Sequence, residues 1–175
     1  MDTPSKLQVL VSKKELAAIV KKMAAAITKD YRAKNPLVIG ILKGSFVFLS
    51  DLVRQLDFPL EVEFVRLSSY GSGKQTSGKV KLVQGLKLDV KDRHVLVAED
   101  IVDTGITLSY FMDYLKKKNP ASLKLCALSE KTARHRVAVK IDYLGLEVPD
   151  KFLVGYGLDC NEKYRNLPDI CVLEE

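Results

Sequence analysis

The sequence predicts an α/β fold built on a mostly parallel, twisted sheet flanked by helices. Three observations predict it. Two short apolar runs rich in β-branched or aliphatic residues, Leu37–Leu42 and His94–Glu99, have the length and composition of strands buried on both faces. Segments with apolar residues at helical spacing follow each of them, and strand alternating with helix is the pattern of a doubly wound sheet. The 175 residues are 47% hydrophobic and 29% charged, which suits one globular domain with a sizeable core.

Taken in order, Ser12-Lys13-Lys14-Glu15 has the form of a capping box, and Leu16, Ile19, Val20, Met23 and Ile27 follow at helical spacing. A helix is expected over about 13–33, with Lys13, Lys14, Lys21, Lys22 and Lys29 mainly off its apolar stripe. Asn35-Pro36 ends it before the Leu37–Leu42 strand. Lys43-Gly44-Ser45 then turns the chain into a helix over about 45–56. Residues 61–67 alternate as a strand with one solvated face. The segment 68–78 holds three glycines, four serines and one threonine, too polar to pack, and reads either as a disordered tip or as a lid over a site.

After the 94–99 strand, Asp100-Ile101-Val102-Asp103-Thr104-Gly105 reads as a loop, and Thr107–Lys118 as a helix closed by Lys116-Lys117-Lys118 and Asn119-Pro120. Ser122–Leu128 is a further strand, and 143–148, 152–155 and 170–173 are shorter candidates. There is no repeat, linker or low-complexity tract.

The net charge of +6 is uneven: residues 1–50 hold 9 Lys/Arg and 3 Asp/Glu, and the rest of the chain holds 19 of each. Charge confined this way reads as a solvated helix face rather than a nucleic-acid surface. No apolar run has the roughly 18–20 residues needed to cross a bilayer, and Met1-Asp2-Thr3-Pro4-Ser5-Lys6 lacks the form of a signal peptide, so a cytoplasmic location is expected. Cys126, Cys160 and Cys171 form no CxxC pair, which disfavours disulfides and structural zinc.

In an open α/β sheet, ligands bind beyond the carboxyl ends of the strands. There Glu99, Asp100 and Asp103 stand directly before Thr104-Gly105-Ile106-Thr107, which opens a helix. A helix N-terminus with Gly and Thr suits a phosphate, and adjacent acids suit ribose hydroxyls or Mg²⁺. Acids at a helix start are also favourable dipole partners, which accounts for Asp103 but not for two acids ending a buried strand.

Val95-Leu96-Val97-Ala98-Glu99-Asp100-Ile101-Val102-Asp103-Thr104-Gly105 resembles the phosphoribosyl pyrophosphate (PRPP) signature of the type I phosphoribosyltransferases. Leu42-Lys43-Gly44-Ser45-Phe46 is similar to their pyrophosphate loop, and Ser69-Tyr70 to the head of their mobile catalytic loop. Residues 148–159, from Val148-Pro149-Asp150 to Gly157-Leu158-Asp159, resemble the purine-binding hood of the hypoxanthine/guanine branch. The likeness runs over about residues 8–173. It implies a single domain, with a core at about 8–145 and a hood from an N-terminal strand and about 146–175.

The resemblance further implies purine salvage: PRPP and hypoxanthine or guanine give a nucleoside 5′-monophosphate and pyrophosphate. Asp103 would exchange a proton with the purine N7. Glu99 and Asp100 would hold the ribose hydroxyls, directly or around Mg²⁺. Asp103, Thr104, Gly105, Ile106 and Thr107 would cradle the 5′-phosphate, with Ile106 standing where relatives carry a Lys. Lys43, Gly44 and Arg165 would take the pyrophosphate, with a cis peptide often found at Lys43-Gly44. Lys131 would donate to the purine O6, Phe152 would stack on the ring, and the carbonyls of Leu153 and Asp159 would meet a 2-amino group. Asp159 would also bind the Mg²⁺ accompanying pyrophosphate. Ser69 and Tyr70 would lead the lid. Members of the family form homodimers or homotetramers. Two other readings are a xanthine preference, and a regulatory relative that binds RNA through Lys13, Lys14, Lys21 and Lys22. His94 and His135 receive no catalytic role.

Overall fold

Ser12 caps the first helix as its spacing dictates: its hydroxyl accepts from the Glu15 amide at 3.3 Å, and the Glu15 carboxylate accepts from the Ser12 amide at 2.8 Å. The structure, a computed structural model, describes residues 6–69 and 80–174. Nine strands and three α-helices are assigned among them: β1 (Lys6–Val11), α1 (Lys13–Tyr31), β2 (Leu37–Leu42), α2 (Phe46–Val53), β3 (Glu61–Ser69), β4 (Val80–Gln84), β5 (His94–Val102), α3 (Ile106–Lys116), β6 (Ser122–Glu130), β7 (Tyr143–Glu147), β8 (Leu153–Val154) and β9 (Ile170–Glu174). A turn of 3-10 helix spans Thr132–Arg134.

Six strands form one sheet in the order β4-β3-β2-β5-β6-β7, parallel except for β4, which runs antiparallel to β3. The buried strands β2, β5 and β6 alternate between two cores. Leu37, Ile39, Val95, Val97, Leu125 and Ala127 pack with Phe111 and Leu115 of α3. Val38, Leu96, Ala98, Cys126 and Leu128 pack with α1 and α2 on the other face. Gly40 lets α2 lie close, because a Cβ there would come within 2.6 Å of Leu49 Cδ2. A second, three-stranded sheet, β1-β9-β8, joins the first strand to the last two. Among the described residues no helix is long and apolar enough to cross a membrane.

The differences from expectation have local causes. Helix α1 ends at Tyr31, its last inward-facing residue, and α2 ends at Val53, short of 56. β5 continues through Val102 instead of looping at Asp100, because its pairing with β6 holds to Ile101–Ser129 and Val102–Glu130. Helix α3 begins one residue early, at Ile106, behind Gly105 in the left-handed region at φ 77°. Strand β4 and the 3-10 turn are not signalled by the sequence. The five lysines of α1 are all exposed, as a solvated face requires.

Candidate active site

The carboxyl end of β5 opens into a cleft of about 270 Å³ that Glu99, Asp103, Thr104, Gly105 and Thr107 line. Gly105 is needed at the start of α3: it takes a positive φ, and a Cβ there would run into the Val137 carbonyl. Gly105 and Thr107 at the head of α3 line the cleft, and a helix N-terminus there suits an anion. The Thr104 hydroxyl accepts from the Ile106 amide at 3.5 Å.

The two acids ending β5 are costly to ionise. Glu99 keeps some exposure as a residue, yet its Oε2 is sealed from solvent without a hydrogen-bond partner. Burial lifts its carboxyl well above the usual carboxylate range, and the Asp100 charge adds to this. Burial also raises Asp100 to about 6, although its own amide, that of Ile101 and the Arg165 charge pull it down. A carboxyl whose folded pKa exceeds its unfolded one stabilises the fold at low pH and loses that contribution as pH rises through the folded value. Glu99→Gln is therefore expected to raise Tm at pH 8 in EDTA, by about 2–4 °C for each kcal/mol recovered. The gain should shrink towards pH 4, and thermal melts at both pH values check it.

A second limb reaches the acids from the turn after β2. Asp100 is only 7% exposed because the Gly44 backbone lies against its carboxylate, leaving no room for a Cβ. The Gly44 carbonyl in turn fills the space a Cβ on Gly157 would need. Beyond Gly157, Arg165 Nη1 donates to the Gly157 carbonyl at 2.8 Å, and Nη2 pairs with Asp159 at 2.9 Å and with Glu162 at 3.2 Å. The same Glu162 carboxylate takes Lys43 Nζ at 2.9 Å.

A third limb is the segment after β6. The Lys131 amide donates to the Val102 carbonyl at 2.9 Å, and the residue is buried at 7% exposure, so it is no solvated loop lysine. Arg134 Nε lies 3.0 Å from Asp103 Oδ1, and its Nη1 lies 3.5 Å from Asp150. The Nε approach is too oblique for a hydrogen bond, so this is a charge contact. Phe152 is 55% exposed and thus not the core residue an apolar run would suggest, while Leu153 is buried in β8.

A sequence profile for the phosphoribosyl transferase domain matches residues 9–161. The chain belongs to this phosphoribosyltransferase family. It is similar to the hypoxanthine phosphoribosyltransferase of Haemophilus influenzae, 44% identical over 174 residues and 97% of each chain. It is also 45% identical over 167 residues to the bifunctional protein TilS/HprT of Listeria innocua. That match takes 95% of this chain but spans about a quarter, 26%, of the Listeria protein. The crystal structure of a hypoxanthine phosphoribosyltransferase from Staphylococcus aureus superposes with a TM-score of 0.92 at 38% identity, covering 95% of this chain and 91% of that one.

Against the expected phosphoribosyltransferase site, Glu99, Asp103, Thr104, Gly105 and Thr107 share the cleft, with Ile106 opening α3 behind it. Lys43, Gly44, Asp159 and Arg165 form the adjoining ionic cluster. The cis peptide lies at Leu42–Lys43, one bond before the expected Lys43-Gly44. Glu99, Asp100 and Asp159 do not form one metal cage: among the described residues no three acids, histidines or cysteines gather as ligands. Asp159 is drawn instead to Arg165 and to the Glu162 amide, 2.9 Å from its Oδ2. Ser69 ends β3 opposite Val80, whereas Tyr70 and most of the expected lid lie outside the described residues. His94 sits at the opposite end of β5, with Nδ1 2.8 Å from Ser122 Oγ. Arg134 and Glu162 stand among other charged residues in polar segments, with nothing in the sequence to single them out; the fold brings them to Asp103 and Lys43.

Proposed function

We propose that this phosphoribosyltransferase joins the 5-phosphoribosyl group of PRPP to N9 of a 6-oxopurine, hypoxanthine and also guanine, releasing pyrophosphate. The observation that carries this reading is the convergence of three limbs on β5: the head of α3, the Gly44 turn packed on Asp100 with its Lys43–Arg165 cations, and the buried Lys131 whose amide donates to the Val102 carbonyl. As C1–O breaks, positive charge grows on the ribose ring and negative charge on the departing pyrophosphate, so the site must stabilise both. Glu99 and Asp100 face the ribose side and hold its hydroxyls. Lys43, Arg165 and the Gly44 backbone receive the leaving group, and Arg165 offers a bidentate fork.

The Asp103 carboxylate takes the N7 proton as N9 attacks C1, which leaves a neutral purine on the product and the proton on Asp103. Arg134 holds that carboxylate facing the cleft. Lys131 donates to O6 and thereby favours oxopurines over adenine. Phe152 offers its exposed ring to the base, and the Leu153 and Asp159 carbonyls lie on the 2-amino side. The hard oxygens of Glu99 and Asp100, one of them unpartnered, suit Mg²⁺, with Asp159 on the pyrophosphate side. When bound, Mg²⁺ neutralises phosphate charge. A cytoplasmic location and assembly as a homodimer or homotetramer belong to this reading, supported by free cysteines and by Phe46, 43% exposed in an apolar hollow beside Tyr156 and Leu167.

The test is turnover with PRPP, Mg²⁺ and each of hypoxanthine, guanine, xanthine and adenine. Nucleotide from hypoxanthine and guanine but not adenine is expected, and adenine as the preferred base would refute the reading. Phe152→Ala should raise KM for the base about 5- to 150-fold, from a stacking contact of roughly 1–3 kcal/mol, with kcat for saturating base little changed. Steady-state kinetics with varied hypoxanthine checks this.

A further inference from the structure

One oxygen of Glu162 bridges the two cations assigned to pyrophosphate: Oε2 lies 2.9 Å from Lys43 Nζ and 3.2 Å from Arg165 Nη2. These cations come from distant parts of the chain, the turn after β2 and the segment before β9. A carboxylate spanning them stands where a phosphate oxygen of the substrate would bind. We propose that Glu162 is an internal counter-ion of the pyrophosphate subsite, seated on Lys43 and Arg165 when the site is free and displaced by the incoming polyanion. This rests on the reading that Lys43 and Arg165 receive pyrophosphate.

The loop is shaped for the task. Asn161 and Glu162 both take positive φ, 50° and 65°, a region that non-glycine residues disfavour. The Glu162 amide is tied to Asp159 Oδ2 at 2.9 Å, which turns the side chain back over the cations. Lys43 and Arg165 hold the Glu162 carboxyl below its usual range, so it stays charged. The side chain is nevertheless 64% exposed. Ion pairs this open add little to the fold, and the pairing is easily exchanged. Pyrophosphate brings more charge and two acceptors for the guanidinium, so it wins the exchange. Its affinity is nonetheless lowered by the occupancy of the internal competitor.

Calorimetric titration of the full chain with inorganic pyrophosphate, with and without Mg²⁺, tests the proposal. Glu162→Gln keeps size and removes charge. It is expected to bind pyrophosphate roughly 3- to 30-fold more tightly than the parent, the range set by two partly exposed ion pairs. KM for PRPP should fall in parallel, with the melting temperature little changed. Glu162→Ser, a second variant, is expected to shift affinity in the same direction. Unchanged or weaker binding in both variants, while Lys43→Gln still weakens pyrophosphate, would overturn the proposal and leave the subsite standing; Glu162 would then merely position Lys43. If Lys43→Gln and Arg165→Lys leave pyrophosphate affinity unchanged in every background, the subsite reading fails and the proposal falls with it.

Discussion

Asp103→Asn is expected to lower kcat by roughly 10²–10⁴, the range for loss of a positioned acid/base group, with PRPP affinity largely kept. The substitution is isosteric, and its effect on the fold is small. Asp103 meets Arg134 in a half-exposed charge contact, and Arg134 retains Asp150 when the Asp103 charge is gone. The amides at the head of α3 are untouched, so phosphate binding persists. What is lost is an acceptor for the N7 proton, and the deficit therefore falls in kcat. Steady-state kinetics combined with direct titration of PRPP separates the two terms. A variant that turns over like the parent would show that Asp103 does not move the proton.

Gly44→Ala is expected to cost a comparable amount, about 10²-fold or more in kcat/KM for PRPP, because a misplacement near 1 Å suffices for such a loss. The position is closed on both sides. A Cβ would enter the Asp100 carboxylate, and Asp100 cannot swing away because it is 7% exposed and tied to backbone amides. The main chain cannot retreat either, since the Gly44 carbonyl already occupies the space beside the Gly157 Cα. Something in the Gly44–Asp100–Gly157 stack must move, and each member adjoins a group proposed to meet PRPP. Gly157→Ala, built against the same stack, is expected to share the phenotype. Wild-type kcat/KM in Gly44→Ala would contradict this account of the packing.

The parts of the fold legible in the sequence are those whose residues obey one rule over a whole element. Leu37–Ile41 and Val95–Ala98 read as strands because both faces are buried and no polar side chain interrupts either run. The Ser12–Glu15 box and the stripe from Leu16 to Ile27 made α1 readable for the same reason. The end of β5 was not readable. Asp100-Ile101-Val102 reads as the start of a loop, and only the continued pairing with β6 shows that these residues are strand. That conflict between local propensity and tertiary context marks the site itself. The contiguous segment 99–107 could be read as a ligand loop because its chemistry is adjacent in sequence. Arg134 and Glu162 could not, since their partners Asp103 and Lys43 are brought to them by the fold. Phe152 and Lys131 show the converse: propensity makes the first core and the second solvent-facing, and the structure reverses both.

In the proposed reaction the carboxyl end of β5 directs phosphoribosyl transfer to a purine nitrogen, with the departing pyrophosphate as the sole other product. The most direct measurement is NMR of a reaction holding PRPP, Mg²⁺, hypoxanthine and the full chain, following phosphorus and the anomeric proton together. Equal amounts of pyrophosphate and an N9-linked inosine 5′-monophosphate of inverted, β configuration are expected. Pyrophosphate released without nucleotide, or no consumption of PRPP in the presence of hypoxanthine or guanine, would contradict it.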